Sequence, residues 1–262
     1  VFFQDEQREV EGAMQKILCI NGSPRGRRSN TQVLVEAFFE GASREGASGE
    51  TLFASELSVN DCMGCFACWN VTPGICVHKD DMPGVLEKMR EADLILWATP
   101  LYHYGMTARL KRILERTLPL VKPWMVKDGE HFGHPFRYEG NPWKMVVVSN
   151  CGFPEPHHFH ALKVHFLQLL EGHEENLLGT IFCTAGEMLR VPACRPLVEP
   201  YLEKVRNAGA EVMRLGCITE ETASFLVRPF VDVETFVLEA NKSWNVPGEQ
   251  PPEEWEALGK SR

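Results

Sequence analysis

Four cysteines fall within fifteen residues, Cys62, Cys65, Cys68 and Cys76, in the pattern C-x2-C-x2-C-x7-C. Three thiols three residues apart can wrap a cubane iron–sulfur cluster, with a fourth closing the site from nearby. Zinc suits the pattern less well, because its sites usually pair two separated C-x-x-C knuckles and here the middle cysteine would be shared. Free or redox-active thiols are the third reading, and spacing alone leaves all three open. Gly64 and Gly74 favour a tight wrap, and Trp69 stands where it would shield a cluster or simply pack.

A second stretch, Ile20-Asn21-Gly22-Ser23-Pro24-Arg25-Gly26-Arg27-Arg28-Ser29-Asn30-Thr31, is built for an anion. It follows the apolar run Ile17 to Ile20 and precedes Val33, Leu34, Ala37, Phe38 and Gly41 at helical spacing. A strand, a Gly/Ser/Pro turn and a helix aim unpaired N–H groups and the positive end of the helix dipole at one point. Hydroxyls, an amide and three arginines add to them. The plainer alternative is a turn in which Ser29 or Asn30 caps the helix. No Gly-Lys-Ser/Thr follows, so this is not a Walker A loop, and a kinase-type P-loop enzyme is disfavoured.

Two more stretches end apolar runs in the same way. Thr99-Pro100-Leu101-Tyr102-His103-Tyr104-Gly105-Met106-Thr107 offers aromatic faces for a flat ring and backbone N–H groups for its polar edge; the plainer alternative is a rigid Pro-Gly turn whose aromatics cover the core. Ser149-Asn150-Cys151-Gly152-Phe153-Pro154-Glu155 combines small residues, which let a ligand approach the backbone, with an amide that both donates and accepts. His157, His158 and His160 crowd one turn, but only His157 and His160 share a helical face, and the expectation is a helix N-terminal turn. His131 and His134 are expected on a loop surface.

The elements that must position these stretches alternate strand and helix. Strands are expected near 16–21, 51–57, 92–99, 143–149 and 178–183. Helices are expected near 30–43, after a cap at Asp80 or Asp81, after a cap at Thr107, before Gly172 and before Gly216. Residues 119–142, rich in Pro and Gly, show no period and read as a long inserted loop. The alternation predicts an α/β fold with an open parallel sheet, whose ligands bind beyond the carboxyl ends of the strands. Residues 1–13 are expected to be a disordered or appended N-terminal segment, with Met14 near the natural start. Residues 14–217 are expected to form the main domain and 218–262 a C-terminal helical extension and tail.

Composition narrows the class. The 262 residues are 44% hydrophobic and 24% charged, with a net charge of −9, values of a soluble globular protein that weigh against nucleic acid as a partner. No apolar run approaches the ~20 residues of a membrane span. Nine cysteines, an odd number and partly crowded, do not form a secreted disulfide framework, so a cytoplasmic location is expected.

The motifs N-G-S-P-R-x-x-x-S-N-T at 21–31, T-P-L-Y-H-Y-G-M-T at 99–107 and S-N-C-G-F-P-E at 149–155 resemble the NADPH-dependent FMN reductase branch of the flavodoxin-like superfamily. With D-C-M-G-C-F-A-C at 61–68, the chain is similar to the iron–sulfur flavoproteins of that branch. The resemblance implies a flavodoxin-like three-layer sandwich with strand order 2-1-3-4-5 and FMN at the switch point. It implies Ser23, Arg25, Ser29, Asn30 and Thr31 at the phosphate. Pro100, Leu101, Tyr102, His103, Tyr104 and Gly105 would face the isoalloxazine, with Asn150, Cys151 and Gly152 on its other side. His103 would stand close enough to the ring to donate to it or to a quinone oxygen. The resembling subgroup carries a [4Fe–4S] cluster, here on Cys62, Cys65, Cys68 and Cys76. The implied activity is an FMN-dependent oxidoreductase that takes electrons from NAD(P)H and passes them to a quinone, a nitro compound or a ferredoxin-like protein, as a homodimer or homotetramer. The alternatives are a flavodoxin-like electron carrier without a small-molecule substrate, and a thiol redox sensor or interaction module.

Overall fold

Ile17 to Ile20, Leu94 to Ala98 and Met145 to Val148 have no polar alternation, so each run needs cover on both faces. In the computed structural model they form the three central strands of one parallel sheet. The structure describes residues 14–139 and 144–244. The expectations for residues 1–13 and for the end of the tail fall outside these. In chain order the elements are β1 (Lys16–Asn21), α1 (Asn30–Arg44), β2 (Ser48–Phe53), α2 (Ala67–Asn70), α3 (Met82–Glu91), β3 (Leu94–Pro100), α4 (Ala108–Glu115), β4 (Val126–Asp128), β5 (His131–Gly133), β6 (Met145–Asn150), α5 (His160–Leu169), β7 (Leu177–Cys183), α6 (Arg195–Leu215), α7 (Glu220–Leu226) and α8 (Val233–Ser243).

The main sheet runs β2-β1-β3-β6-β7. Counted within that sheet alone, the order is the expected 2-1-3-4-5, and helices on both faces complete the three layers. Leu34 and Phe38 of α1 pack with Val198, Val205 and Val212 of α6 on one face. Val85 and Met89 of α3, Ile113 of α4 and Phe166 of α5 pack with Trp97 on the other. The extension joins the first core: Leu226 of α7 is buried there, and the Tyr201 hydroxyl donates to its carbonyl at 3.3 Å.

Two elements differ from the sequence reading. β2 starts at Ser48, three residues earlier than expected, because its first half is an exposed edge of polar residues and lacks the apolar signal of a strand. The stretch 119–142 is not wholly irregular. β4 and β5 form an antiparallel hairpin, prolonged by a bridge between Val121 and Phe136 and by bonds from Lys122 N to Pro135 O and Arg137 N to Leu120 O, each 2.8 Å. Its strands are too short and too exposed to alternate visibly.

α1 and α6 cross backbone against backbone. A Cβ at Gly41 would lie 1.7 Å from the Arg206 carbonyl oxygen, and one at Gly209 would lie 2.1 Å from that of Phe38. No side chain can move aside to relieve either clash. Gly209→Ala should therefore separate the helices and cost about 1–3 kcal/mol, the usual toll of overpacking, read as a lower midpoint in urea unfolding.

Candidate flavin and iron–sulfur sites

Three loops leave the carboxyl ends of β1, β3 and β6 side by side, as the register requires: Asn21 pairs with Ala98, and Pro100 with Asn150. Direct bonds then join them. The Thr107 hydroxyl donates to Gly22 O at 2.7 Å, and Gly22 N donates to Ala98 O at 2.7 Å. Gly22 permits this, since a Cβ there would meet Thr107 Oγ1 at 2.7 Å and Leu110 Cβ at 2.5 Å. The Thr31 hydroxyl donates to Asn150 Oδ1 at 2.7 Å, tying the start of α1 to the third loop.

In the first loop the capping and anion-binding readings coexist. Ser29 caps α1 by accepting from Gln32 N at 3.1 Å, which still leaves its own hydroxyl proton free to donate. Ser23 Oγ accepts from Arg25 N at 3.3 Å and likewise keeps its proton. The first turn of α1 leaves the N–H groups of Asn30 and Thr31 without intrahelical partners. Arg25, Arg27 and Arg28 are exposed around the loop, and Arg27 pairs with Glu56 at 3.1 Å. Hydroxyl donors, helix N–H groups and guanidinium charge together suit a phosphate dianion. Because the Thr31 hydroxyl is committed to Asn150, its contribution to an anion would come from its main chain.

The second loop ends in a tight reversal. Tyr102 and Gly105 exchange two backbone hydrogen bonds of 3.0 Å, with His103 at φ 47° and Tyr104 at φ 62° between them. Two consecutive left-handed residues make this a type I′ turn, where Asn and Gly are the ordinary occupants. Tyr102, His103 and Tyr104 are exposed at its tip. Tyr104 lies 5.8 Å from the His158 ring and Phe153 lies 4.4 Å from it, so the second and third loops share an aromatic wall. Cys151 is buried, and burial pushes its thiol up to about 11 against an opposing backbone interaction at Phe153. It is a neutral wall residue at neutral pH and not a nucleophile. Among the histidines the structure brings His157 and His158 together with Glu155, their ligand atoms within 4.8 Å of one another, and leaves His160 out. The spacing signal for this group was weak because it lies in a 3₁₀ turn, where α-helical periodicity does not apply.

The four cysteines occupy a loop that folds back on itself, with left-handed residues at Gly64, Phe66 and Gly74. Cys68 is buried, Cys76 is half-buried, and Cys62 and Cys65 are exposed. Burial raises the Cys68 thiol, and the nearby charges of Cys76, Cys65 and Cys62 raise it further. Among the described residues the sulfurs form no group with ligand atoms all within 4.8 Å. A zinc ion at Zn–S ~2.3 Å would hold four sulfurs at about 3.8 Å. Four thiols and no carboxylate or imidazole are the donor set that an iron–sulfur cluster takes.

Sequence reasoning did not find what holds this loop. Arg112 and Arg116, one helical turn apart, grip both of its ends. Arg112 Nε donates to Asp61 Oδ1 at 2.5 Å and its Nη1 to Val59 O at 3.2 Å. Arg116 Nη1 donates to Asn60 O at 2.7 Å and to Asp80 Oδ2 at 2.8 Å, while Nη2 donates to Asp80 Oδ1 at 3.1 Å. The Arg116 and Asp80 side chains are each 1% exposed. At the start of α3, Asp81 holds the N-cap position without a side-chain capping bond and accepts instead from Ser58 N at 2.7 Å, while the Asp80 carboxylate accepts from Met82 N at 3.2 Å. The insert covers the loop from outside. Trp69 Nε1 donates to Leu118 O at 3.1 Å, its ring lies 4.9 Å from that of His134, and Gly74 packs beneath Tyr138 and Arg137.

Burial alone would raise the Asp80 carboxyl, but bonds from Arg116, Asn60 N and Met82 N outweigh it and hold it well below the usual carboxylate range. A depressed native pKa contributes stability that is complete above the unfolded value, about 3.9, and is lost as pH falls through the native value. Asp80→Ala should cost about 3–5 kcal/mol near neutrality, as for a broken buried pair. The gap between wild type and variant in chemical unfolding should stay level from about pH 5 to 8 and narrow below about pH 4.

Comparison with known proteins returns the same family as the motifs. Residues 15–138 match the family model described as NADPH-dependent FMN reductase. An iron-sulfur flavoprotein of Archaeoglobus fulgidus is 39% identical over 102 residues, covering 39% of this chain and 48% of that one. An iron-sulfur flavoprotein of Methanocaldococcus jannaschii is 36% identical over 105 residues, covering 40% and 53%. The matched segment spans about half the length of these relatives. Among solved structures, an NAD(P)H:quinone oxidoreductase from Methanothermobacter marburgensis shares the fold with a TM-score of 0.54 at 19% identity, covering 77% of this chain and all of that one.

Proposed function

From a chain whose residues 15–138 match the NADPH-dependent FMN reductases, we propose an FMN-dependent oxidoreductase that takes electrons from NAD(P)H and delivers them to a quinone, a nitro compound or a protein acceptor. The observation that carries this reading is the convergence of three loops at one sheet edge, bonded to one another through Thr107–Gly22 and Thr31–Asn150. FMN, when bound, supplies hydride and electron transfer. The chain's part is to bind, orient and exclude water. Ser23, Arg25, Ser29, Asn30 and Thr31 hold the phosphate, the last two through main-chain N–H groups. Pro100 to Gly105 line one side of the ring and Asn150, Cys151 and Gly152 the other. His103, exposed on its strained turn, would in this reading donate a proton to the ring or to a substrate oxygen.

Cys62, Cys65, Cys68 and Cys76 hold a [4Fe–4S] cluster in this reading, which lets electron pairs from a nicotinamide leave singly. A ferredoxin-like protein then becomes a possible partner. No helix among the described residues is long and apolar enough to cross a membrane, and we assign the protein to the cytoplasm. Met63, Phe66, Val71 and Ile75 are exposed apolar residues on the cysteine loop, which favours burial against a second subunit in a homodimer or homotetramer.

The test is anaerobic purification or reconstitution, followed by a visible spectrum and iron and sulfide assays. Flavin absorbance with about four irons per chain is the expected result, and failure to retain FMN after reconstitution overturns the reading. Steady NAD(P)H oxidation with a quinone separates an enzyme from a carrier reduced only by a partner protein. Reversible thiol oxidation without flavin would indicate a sensor. Ser23→Ala should weaken FMN retention roughly tenfold, for the loss of one charge-assisted bond, whereas Thr31→Val should have a smaller effect, read by fluorescence titration of the apoprotein.

A further inference from the structure

Arg116 is a fully buried cation with an unfinished set of bonds. Its Nη1–Nη2 edge is used by the Asp80 carboxylate and Asn60 O. Its Nε is buried and has no hydrogen-bond partner, and one Nη2 proton is also uncommitted. A guanidinium presents its donors in a rigid fork, so the Asp80 contact fixes where the remaining edge points. Cys76, four residues ahead of Asp80 in the chain, is the cysteine whose side chain acts on the guanidinium, by charge and by hydrogen-bonding capacity.

The arrangement costs more than a surface loop needs. An arginine serving only to staple Asn60 to Asp80 would reach water with its free edge, as Arg112 does at 39% side-chain exposure. Arg116 is instead held dry at 1% side-chain exposure, with its Nε left without a partner. A sulfur carrying negative charge is the acceptor this edge lacks, and a metal-bound thiolate is such a sulfur.

We propose that Arg116 is a positioning residue for the metal centre: its free Nε edge donates to the Cys76 sulfur and makes the centre easier to reduce. This rests on the iron–sulfur reading of the four cysteines. Donors to a ligand sulfur, together with a nearby cation, stabilise the form with more negative charge, and so raise the reduction potential. Asp80 limits the effect, because its carboxylate cancels much of the guanidinium charge at longer range while leaving the short-range donation intact. One electron enters the centre, and no bond of Arg116 or Cys76 is made or broken. The arginine stays protonated throughout.

The experiment is a redox titration of the reconstituted holoprotein, read by the visible spectrum and by EPR of the reduced state. Arg116→Gln should load iron and sulfide but lower the one-electron reduction equilibrium at least tenfold, about 59 mV. Arg116→Lys keeps the charge, loses the fork, and should fall between the two. A loaded Arg116→Gln protein with a reduction equilibrium within about twofold of wild type, roughly 0.3 of the tenfold step, overturns the proposal and leaves the cluster reading intact. Wild type without iron and sulfide overturns the cluster reading itself. If neither variant loads, wild type grown with ¹⁵N-arginine decides the matter. Pulsed EPR of its reduced centre should show coupling to an arginine nitrogen, and a loaded centre with no such coupling overturns the proposal.

Discussion

A carboxylate and a guanidinium, each 1% exposed, meet between α3 and α4. Neither has water to fall back on, so the desolvation cost of the pair is recovered only while both sit in register. That constraint propagates. Asp80 lies just ahead of α3, Arg116 caps the end of α4, and Asn60 O leads directly to Cys62. The cysteine loop is therefore anchored where it leaves the sheet and again where it returns. The other end of α4 is capped by Thr107, whose hydroxyl reaches Gly22. One short helix thus bears on the phosphate loop at its start and on the cysteine loop at its finish.

Much of this was legible. Apolar runs with no alternation marked the inner strands, and Pro, Gly, Ser and Asn at their ends marked the three loops. Edge strands were harder, because Ser48-Gly49-Glu50 bury almost nothing. The hairpin of the insert was invisible for the same reason. Arg116 was missed for another: on α4 it falls among Arg109, Lys111 and Arg112, and a charge run on a helix ordinarily reads as a solvated face. Only the tertiary partner, thirty-six residues away in sequence, makes it a core residue. Thr31 illustrates the converse. Its type and position suit a phosphate, yet its hydroxyl proton is spent on Asn150.

The insert acquires a role from its contacts. Trp69 and His134 meet at a tilt, Arg137 donates to Pro119 O and Val121 O, and Tyr138 lies over Gly74 with Arg90 on its ring. These residues close one side of the cysteine loop with rings and aliphatic stems. Water excluded there strengthens the charge interactions beneath. Cys62 and Cys65 remain exposed.

The crossing of α1 and α6 bears on motion. Because Gly41 and Gly209 put backbone on backbone, α1 can neither slide nor tilt without breaking contact along its length. Its N-terminus carries unpaired N–H groups, so an anion bound there would be moored to a closely packed pair of helices. The turn at His103-Tyr104 and the exposed Phe153, on the neighbouring loops, are held by no such crossing. A ligand at that N-terminus would have one rigid anchor, with the adjustable side chains on the loops beside it.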